Sequence, residues 1–186
     1  MHLRVAVNWS ARSLVDPDLV GAVHRLLKRY AVPAQMLTSE ITESSVMTDP
    51  ARAIAMLLEL HEMGVRLSVD DFGTGYSSLS YLKRLPVQEV KIDRSFVTEM
   101  LRADDDAPIV RSIIDLAANL GLDVVADAVE DLATWRELER LGCVRAQGYY
   151  LARPMPVTTF AQWLAEARRR TLPEPRTDTL SAASAL

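Results

Sequence analysis

The sequence contains little cysteine, few aromatic residues and no long apolar run. Its single cysteine, Cys143, cannot form an intramolecular disulfide and indicates a reducing compartment. No apolar stretch approaches the roughly 20 residues that span a bilayer. The first segment, MHLRVAVNWS, lacks the layout of a secretory signal. A net charge of −4 argues against broad binding to DNA or RNA polymers. We therefore expect a soluble, cytoplasmic protein with no membrane segment.

The composition is that of a folded protein. Apolar residues make up 49% of the 186 residues and charged residues 25%, which is enough to form a sizeable core. At about 150 residues per domain, this length predicts one domain, placed here at residues 1–170. The last residues, 171–186, contain two prolines and small polar side chains without periodicity, and predict a disordered tail.

Short β-branched runs alternate with amphipathic stretches, which is the pattern of βα units around a parallel sheet. The predicted strands are Leu3–Asn8, Met36–Ile41, Arg66–Asp70, Glu89–Ile92, Asp123–Asp127 and Val144–Tyr149. The predicted helices lie between these strands, and a further helix covers residues 158–170. The pattern therefore predicts an α/β protein with about six βα units.

Helix boundaries are marked by two residue types. Asp16-Pro17 and Asp49-Pro50 each place an N-cap acceptor before a proline, which is suited to the first helical turn. Gly64, Gly121 and Gly142 each follow a helical pattern and precede a strand, where a glycine ends a helix.

The predicted strands share an arrangement of polar residues. Since alternate residues share a face, each of the first five strands has an apolar face for helices and a polar residue near the end of the other face. Together with one residue from the sixth strand, these polar residues are Asn8, Glu40, Asp70, Lys91, Asp127 and Gln147. Parallel α/β sheets place their active sites at the carboxyl edge of the strands, so we expect these side chains to converge there.

The chemistry of this set favours hard cations. The donors are carboxylate and amide oxygens, and the three histidines have no ligand spacing, so Mg²⁺ or Mn²⁺ fits better than zinc. Acids that converge at one edge would repel one another unless cations neutralise them. The set therefore predicts a divalent cation site.

The pair Asp70-Asp71 is the sharpest local signal. Adjacent strand residues point to opposite faces, so both can reach one site only where the strand breaks into the loop that follows. The segment FGTGYSS supplies glycines for that break, and Ser77 or Ser78 could cap the next helix. Two adjacent carboxylates can hold two metal ions about 4 Å apart. The alternative is a turn-forming acidic pair without a ligand.

Several segments together resemble the EAL domain family of bacterial signalling proteins. They are VAVNWSARSL, EITES, SVDDFGTGYSSLSYLKRLPVQEVKIDRSFV, VVADAVED and AQGYYLARPMP, which together cover most of residues 5–165. The resemblance implies a TIM-type (β/α)₈ barrel that hydrolyses cyclic-di-GMP to linear pGpG with two Mg²⁺ or Mn²⁺ ions.

The resemblance also implies roles for individual residues. The metal ligands would be Asn8, Glu40, Asp70 and Asp71. Lys91 would contact the nucleophilic water, Asp127 would lie near the second metal, and Glu130 would be a further catalytic acid. Gln147 would line the substrate site, and Glu43 would steady the loop after the two aspartates.

The sequence departs from the family pattern in two ways. The Glu-Ala-Leu motif is absent, and six predicted strands fall short of the eight in a closed barrel, so we expect an incomplete barrel. In the AEGVE-type segment, Asp127 replaces a glutamate and Ala128 replaces a glycine, adding a Cβ where the backbone needs freedom.

These departures leave three interpretations open. The chain is a metal-dependent phosphodiesterase, a catalytically inactive module that binds cyclic-di-GMP or a partner protein, or a fragment with no independent activity. A homodimer, or a sensory or regulatory domain, would be a further partner.

Overall fold

The computed structural model describes residues 3–74, 82–101 and 106–169. Its strands are β1 (Val5–Trp9), β2 (Leu37–Thr42), β3 (Arg66–Phe72), β4 (Glu89–Ile92) and β5 (Asp123–Ala126). Its helices are α1 (Ala11–Leu14), α2 (Leu19–Arg29), α3 (Glu43–Thr48), α4 (Pro50–Glu62), α5 (Arg94–Glu99), α6 (Asp106–Leu120), α7 (Leu132–Arg140) and α8 (Val157–Arg169), with a 3₁₀ turn at Ala34–Met36. The predicted cap at Ser77 or Ser78 and the predicted tail, 171–186, lie outside the described residues.

The five strands form one parallel sheet in the order β1-β2-β3-β4-β5. Each strand therefore lies beside the next strand in sequence, and the sheet winds in one direction, as in a (β/α)₈ barrel, without the reversal of a doubly wound sheet. The α/β prediction is confirmed, and the open sheet corresponds to part of such a barrel.

Several predicted boundaries differ from the structure. Those of β1, β2 and β5 differ by one or two residues, so that Asp127 follows β5 and does not end it. The sixth predicted strand, Val144–Tyr149, is reduced to a single bridge between Ala146 and Ala126. β3 continues two residues beyond the predicted end, to Phe72. The N-cap of α2 is Asp18, because Asp16 accepts a hydrogen bond from the Asp18 backbone N–H at 3.0 Å and so forms a turn before the helix.

Other helix signals are confirmed. Asp49 caps α4, accepting from the Arg52 N–H at 3.2 Å with Pro50 in the first turn. Gly64, Gly121 and Gly142 follow α4, α6 and α7 with φ of +94°, +69° and +92°, the left-handed geometry that ends a helix.

The two faces of the sheet differ in chemistry. Leu67, Val90 and Ile92 are fully buried on the face that packs against the helices. The other face contains buried polar residues, namely Thr38, Glu40, Ser68 and Lys91. A buried polar face is costly unless its groups form hydrogen bonds or ion pairs with one another. The pairs on this face therefore mark the position of the candidate site.

Ion pairs connect the charged residues at the amino edge of this polar face. Asp123, at the start of β5, contacts Arg66 at 2.7 Å and Arg145 at 2.6 Å, and Arg145 also contacts Glu89 at 3.5 Å. Although burial would raise the pKa of Asp123, the hydrogen bonds and charges of Arg145 and Arg66 lower it. This edge is thus neutralised by the protein's own side chains.

The chain divides into two compact units between Ala152 and Arg153. The first contains the sheet, and the described part of the second contains α8, where the rings of Phe160 and Trp163 stack at 5.9 Å. The predicted division into a domain at 1–170 and a tail at 171–186 stays a prediction. Among the described helices, none is both long and apolar enough to cross a bilayer.

We expect Gly148→Ala to lower the free energy of unfolding by about 3 kcal/mol or more in urea denaturation. A Cβ at this position would overlap the backbone N and O of Val129, which cannot move aside as a flexible side chain could. The matched control is Gly142→Ala, where φ is +92° and no described atom lies within 4 Å of the added Cβ. That variant should lose only about 1 kcal/mol, the cost of the left-handed backbone. Equal losses in the two variants would contradict the overlap.

Candidate active site

Lys91 is the centre of a buried ionic group. Only 2% of this residue is exposed. Its Nζ lies 3.2 Å from Oε2 of Glu40 and 3.0 Å from Oδ1 of Asp70. A buried ammonium without partners would be costly, and the two carboxylates remove that cost. The structure therefore brings together three of the residues predicted from the strand pattern.

Strand register explains this convergence. Glu40 in β2 is opposite Ser68 in β3, so Asp70 lies two residues further along the same face. Between β3 and β4, Val69 pairs with Val90 and Phe72 with Ile92. Three residue steps on β3 thus match two on β4, and this bulge places Asp70 and Asp71 opposite Lys91.

The bulge explains how two adjacent aspartates lie at one edge. Asp71 adopts φ +54°, which breaks the alternation of side chains within β3. The break was predicted in the segment that follows the two aspartates, and in the structure it begins one residue earlier, at Asp71. Gly73, with φ +103°, continues the turn.

The ionisable groups of this cluster are perturbed. Burial raises the pKa of Glu40 above its usual value, and the neighbouring carboxylates of Asp70 and Glu89 raise it further, while Lys91 opposes the shift. Burial would lower the pKa of Lys91, but Asp70 and Glu40 raise it overall, so the ammonium stays charged. The cluster thus holds a fixed positive charge beside an acid that ionises reluctantly.

Asp93 is a site residue to which the sequence analysis assigned no role. Burial raises the pKa of Asp71, and the charges of Asp70 and Asp93 and a hydrogen bond with Asp93 raise it further. Burial would raise the pKa of Asp93, but hydrogen bonds from Ser95 and Asp71 lower it. The pKa values of these two neighbouring carboxyls are therefore shifted in opposite directions. The signal was present in the sequence, since Asp93 follows Lys91 by two residues at the same strand end.

Asp127 and Gln147 lie at the ends of the adjacent segments. The Asp127 carboxylate accepts a hydrogen bond from the Ala128 N–H at 2.7 Å, and its charge contributes to raising the pKa of Lys91. The Gln147 backbone pairs with Ala126 and Val129, which leaves its side chain exposed at this edge. Glu130 is exposed just before α7.

Asn8 and Glu43 have different environments. Asn8 is exposed and lies opposite Glu40 in the β1–β2 register, so both are on the polar face. Glu43 is in the first turn of α3, and its Oε2 is buried with no hydrogen-bond partner among the described residues. A buried carboxylate oxygen without a partner is unusual and indicates a contact with a further polar group.

The oxygen donors fit a hard divalent cation in their chemistry. Glu40 and Asp70 already converge on one positive charge, and Asn8 adds an amide oxygen on the same face. Within residues 3–74, 82–101 and 106–169, however, no three His, Cys, Asp or Glu side chains are close enough together to hold a metal ion. Lys91 occupies the space between the two acids, so a cation there would need their side chains to turn.

Comparison with known sequences finds consistent similarity. The model of the EAL domain family matches residues 1–154. The chain is 47% identical over 152 residues to the bifunctional diguanylate cyclase/cyclic di-GMP phosphodiesterase MucR of Pseudomonas aeruginosa, covering 82% of this chain and 22% of that protein. It is 41% identical over 163 residues to the cyclic di-GMP phosphodiesterase NbdA of the same species, covering 88% and 21%. The chain thus spans about a fifth of the length of these relatives.

Solved structures show the same similarity. The PaMucR phosphodiesterase in complex with c-di-GMP aligns with a TM-score of 0.81 and 46% identity, over 84% of this chain and 64% of that one. The EAL domain of Mycobacterium smegmatis DcpA aligns at 0.82 and 42%, over 88% and 73%. Klebsiella pneumoniae BlrP1, in a calcium/cy-diGMP complex, aligns at 0.76 and 33%, over 81% and 39%.

We expect Lys91→Met to lower the free energy of unfolding by about 3 kcal/mol at pH 8, because Glu40 and Asp70 would lose their buried counter-charge. Without Lys91, the folded-state pKa of Glu40 would rise further above its unfolded value. The folded state would then bind a proton more tightly, so stability would recover as the pH falls through that pKa. Urea denaturation at pH 5.5 should therefore show a loss smaller by about 1 kcal/mol.

The matched control for this variant is Arg140→Met, which breaks the exposed pair with Glu137 on α7. Exposed pairs contribute little, so its loss should be much smaller and similar at both pH values. An effect of Lys91→Met no larger than that of Arg140→Met would contradict the buried pairing.

Proposed function

Because this chain belongs to the EAL domain family, we propose that it is a cyclic-di-GMP phosphodiesterase domain that hydrolyses its substrate to linear pGpG. The observation that carries the proposal is the buried contact of Lys91 with Glu40 and Asp70 at the carboxyl edge of a parallel sheet. Active sites of such folds lie at this edge. The similarity to MucR and NbdA, whose names state this activity, supports the substrate.

Two divalent cations, Mg²⁺ or Mn²⁺, would lower the pKa of water and neutralise phosphate charge at this site. We propose that Asn8, Glu40, Asp70 and Asp71 hold them. The directions of the pKa shifts of Glu40 and Asp71 are consistent with this role, since a bound cation would stabilise the ionised form of buried carboxyls.

Lys91 would act on the reacting groups directly. An ammonium has three N–H donors, of which two face Glu40 and Asp70. The third can donate to a phosphate oxygen or to the attacking water and orient it. Its raised pKa keeps the proton on Nζ, so Lys91 serves as an electrostatic donor and not as a base.

The remaining predicted residues would shape the site. Glu130 and the Gln147 side chain, both exposed near the strand ends, would contact the nucleotide. Glu43 would use its unpartnered Oε2 to hold the segment after Asp71. The buried, unpaired thiol of Cys143 supports a reducing compartment, and we propose that the domain works in the bacterial cytoplasm.

A second candidate function is a receptor that binds cyclic-di-GMP without cleaving it. The Asp127 carboxylate, which the family pattern places near the second metal, is already hydrogen-bonded to the Ala128 N–H. In addition, no three-acid metal group stands ready within the described residues. Both observations favour binding over turnover. Partners such as a second copy or a regulatory domain fit either function.

We expect Asp70→Asn to reduce cyclic-di-GMP turnover at least about 100-fold. The substitution removes the negative charge of the carboxylate that would bind a cation and that pairs with Lys91. Formation of pGpG by the full chain, followed by chromatography with Mg²⁺ or Mn²⁺, is the measurement. The control is Asp115→Asn on the exposed face of α6, where the Arg111 ion pair is 3.9 Å long, and its turnover should match the parent. Parent-level turnover by Asp70→Asn would remove Asp70 from the mechanism.

We expect removal of divalent cations with a chelator to abolish turnover, and addition of Mg²⁺ or Mn²⁺ to restore it. Calorimetry with cyclic-di-GMP on the same samples separates the two candidates. Tight binding without product under either metal would support the receptor and reject the enzyme. An absence of both binding and product would reject both functions.

A further inference from the structure

Two strand ends in this protein have turns of the same construction. At the end of β3, the Asp71 N–H donates to Oδ1 of Asp70 at 3.1 Å, and Asp71 has φ +54°. After β5, the Ala128 N–H donates to Oδ1 of Asp127 at 2.7 Å, and Ala128 has φ +55°. In each turn, an aspartate carboxylate binds the amide of a following residue that adopts the left-handed conformation.

This conformation is unfavourable for a residue with a Cβ. Ala31 is the other non-glycine residue with positive φ in the described part of the chain, and there the turn ends α2 through backbone hydrogen bonds to Lys28 and Leu27. Ala128 does not follow a helix. Unlike the turn at Ala31, the turn at Ala128 has a side-chain acceptor, Oδ1 of Asp127, which accepts a hydrogen bond from the Ala128 amide at 2.7 Å.

The turn at Ala128 determines where the next segment lies. Val129, immediately after the turn, is fully buried, and its N–H donates to the Gln147 carbonyl at 2.9 Å. The Val129 carbonyl accepts from the Tyr150 N–H at 3.0 Å, and Gly148 packs directly against the Val129 backbone. A change of φ at Ala128 would rotate Val129 away from these partners and displace Gln147.

We propose that Asp127 is a positioning residue: its carboxylate holds Ala128 in the left-handed turn that places Val129 and Gln147 at the site. The turn itself does not depend on any ligand. The consequence for nucleotide binding rests on the proposed function. This role differs from that of a metal ligand, because it needs a hydrogen-bond acceptor and not a negative charge.

The test compares Asp127→Ala, Asp127→Asn and the double variant Asp127→Ala/Ala128→Gly in the full chain. The first readout is hydrogen exchange of the Val129 amide. We expect Asp127→Ala to speed this exchange about tenfold, the effect of losing a hydrogen bond to a charged acceptor. Asp127→Asn keeps an acceptor oxygen and should exchange within about threefold of the parent. Ala128→Gly should restore slow exchange to Asp127→Ala, because glycine adopts positive φ without help.

The second readout is calorimetric affinity for cyclic-di-GMP with Mg²⁺ or Mn²⁺. A positioning role predicts that Asp127→Asn and the double variant both retain the affinity that Asp127→Ala loses. Loss of affinity in all three variants would overturn the proposal and identify Asp127 as a direct ligand. The control is Ala31→Gly, which relieves a left-handed alanine elsewhere and should not rescue Asp127→Ala.

The two readouts test the proposed function and the role of Asp127 independently. If the parent chain binds no cyclic-di-GMP, the proposed function is wrong, but Val129 exchange still decides the role of Asp127. If Val129 exchange is unchanged in Asp127→Ala, or is not rescued by Ala128→Gly, the positioning role is wrong whatever the chain binds.

Discussion

The charge of Lys91 is the constraint on which the polar face of the sheet depends. An ammonium that is 2% exposed is tolerated only because β2 and β3 each bring a carboxylate to it. A shift of either strand by one residue would turn Glu40 or Asp70 to the apolar face and leave Lys91 without that partner. The register of the sheet is therefore specified by this ionic group as well as by the apolar face.

Asp123 at the amino edge of the polar face has a pKa shift opposite to those of Glu40 and Asp71 at the carboxyl edge. At the amino edge, Asp123 is paired with Arg66 and Arg145, and its pKa is lowered. At the carboxyl edge, burial raises the pKa values of Glu40 and Asp71, and neighbouring carboxylates raise them further. An edge whose charges are paired contributes stability, whereas buried carboxyls that lie close to one another are groups that a positively charged ligand would stabilise.

Strand alternation made the centre of the site predictable. Glu40, Asp70 and Lys91 share a face because the two-residue period of a strand is fixed by the backbone, so sequence spacing alone places them together. The bulge at Asp71 was not predictable in this way, since it depends on φ at one residue. The sixth strand was overpredicted: Val144 is its only β-branched residue, and the segment forms a single bridge at Ala146 before Gly148 packs against the Val129 backbone. The Asp16-Pro17 pair predicted a cap at Asp16, but the N-cap lies two residues later, at Asp18, and the sequence does not distinguish two aspartates so close together.

Asp70 contacts both the Asp71 backbone amide and the buried ammonium of Lys91. Its Oδ1 accepts the Asp71 N–H at 3.1 Å and also faces Lys91 Nζ at 3.0 Å. One oxygen atom thus takes part in both the turn that aims Asp71 and the ion pair that neutralises Lys91. A cation that draws Oδ1 away from Lys91 necessarily changes the acceptor of the Asp71 amide. Asp93 contributes to the raised pKa of Asp71, so a change in the Asp71 turn also affects this second pair of carboxyls. The turn that aims Asp71 and the ion pair of Lys91 are therefore coupled through a single oxygen atom, and the adjacency of the two aspartates in sequence is what makes this coupling direct.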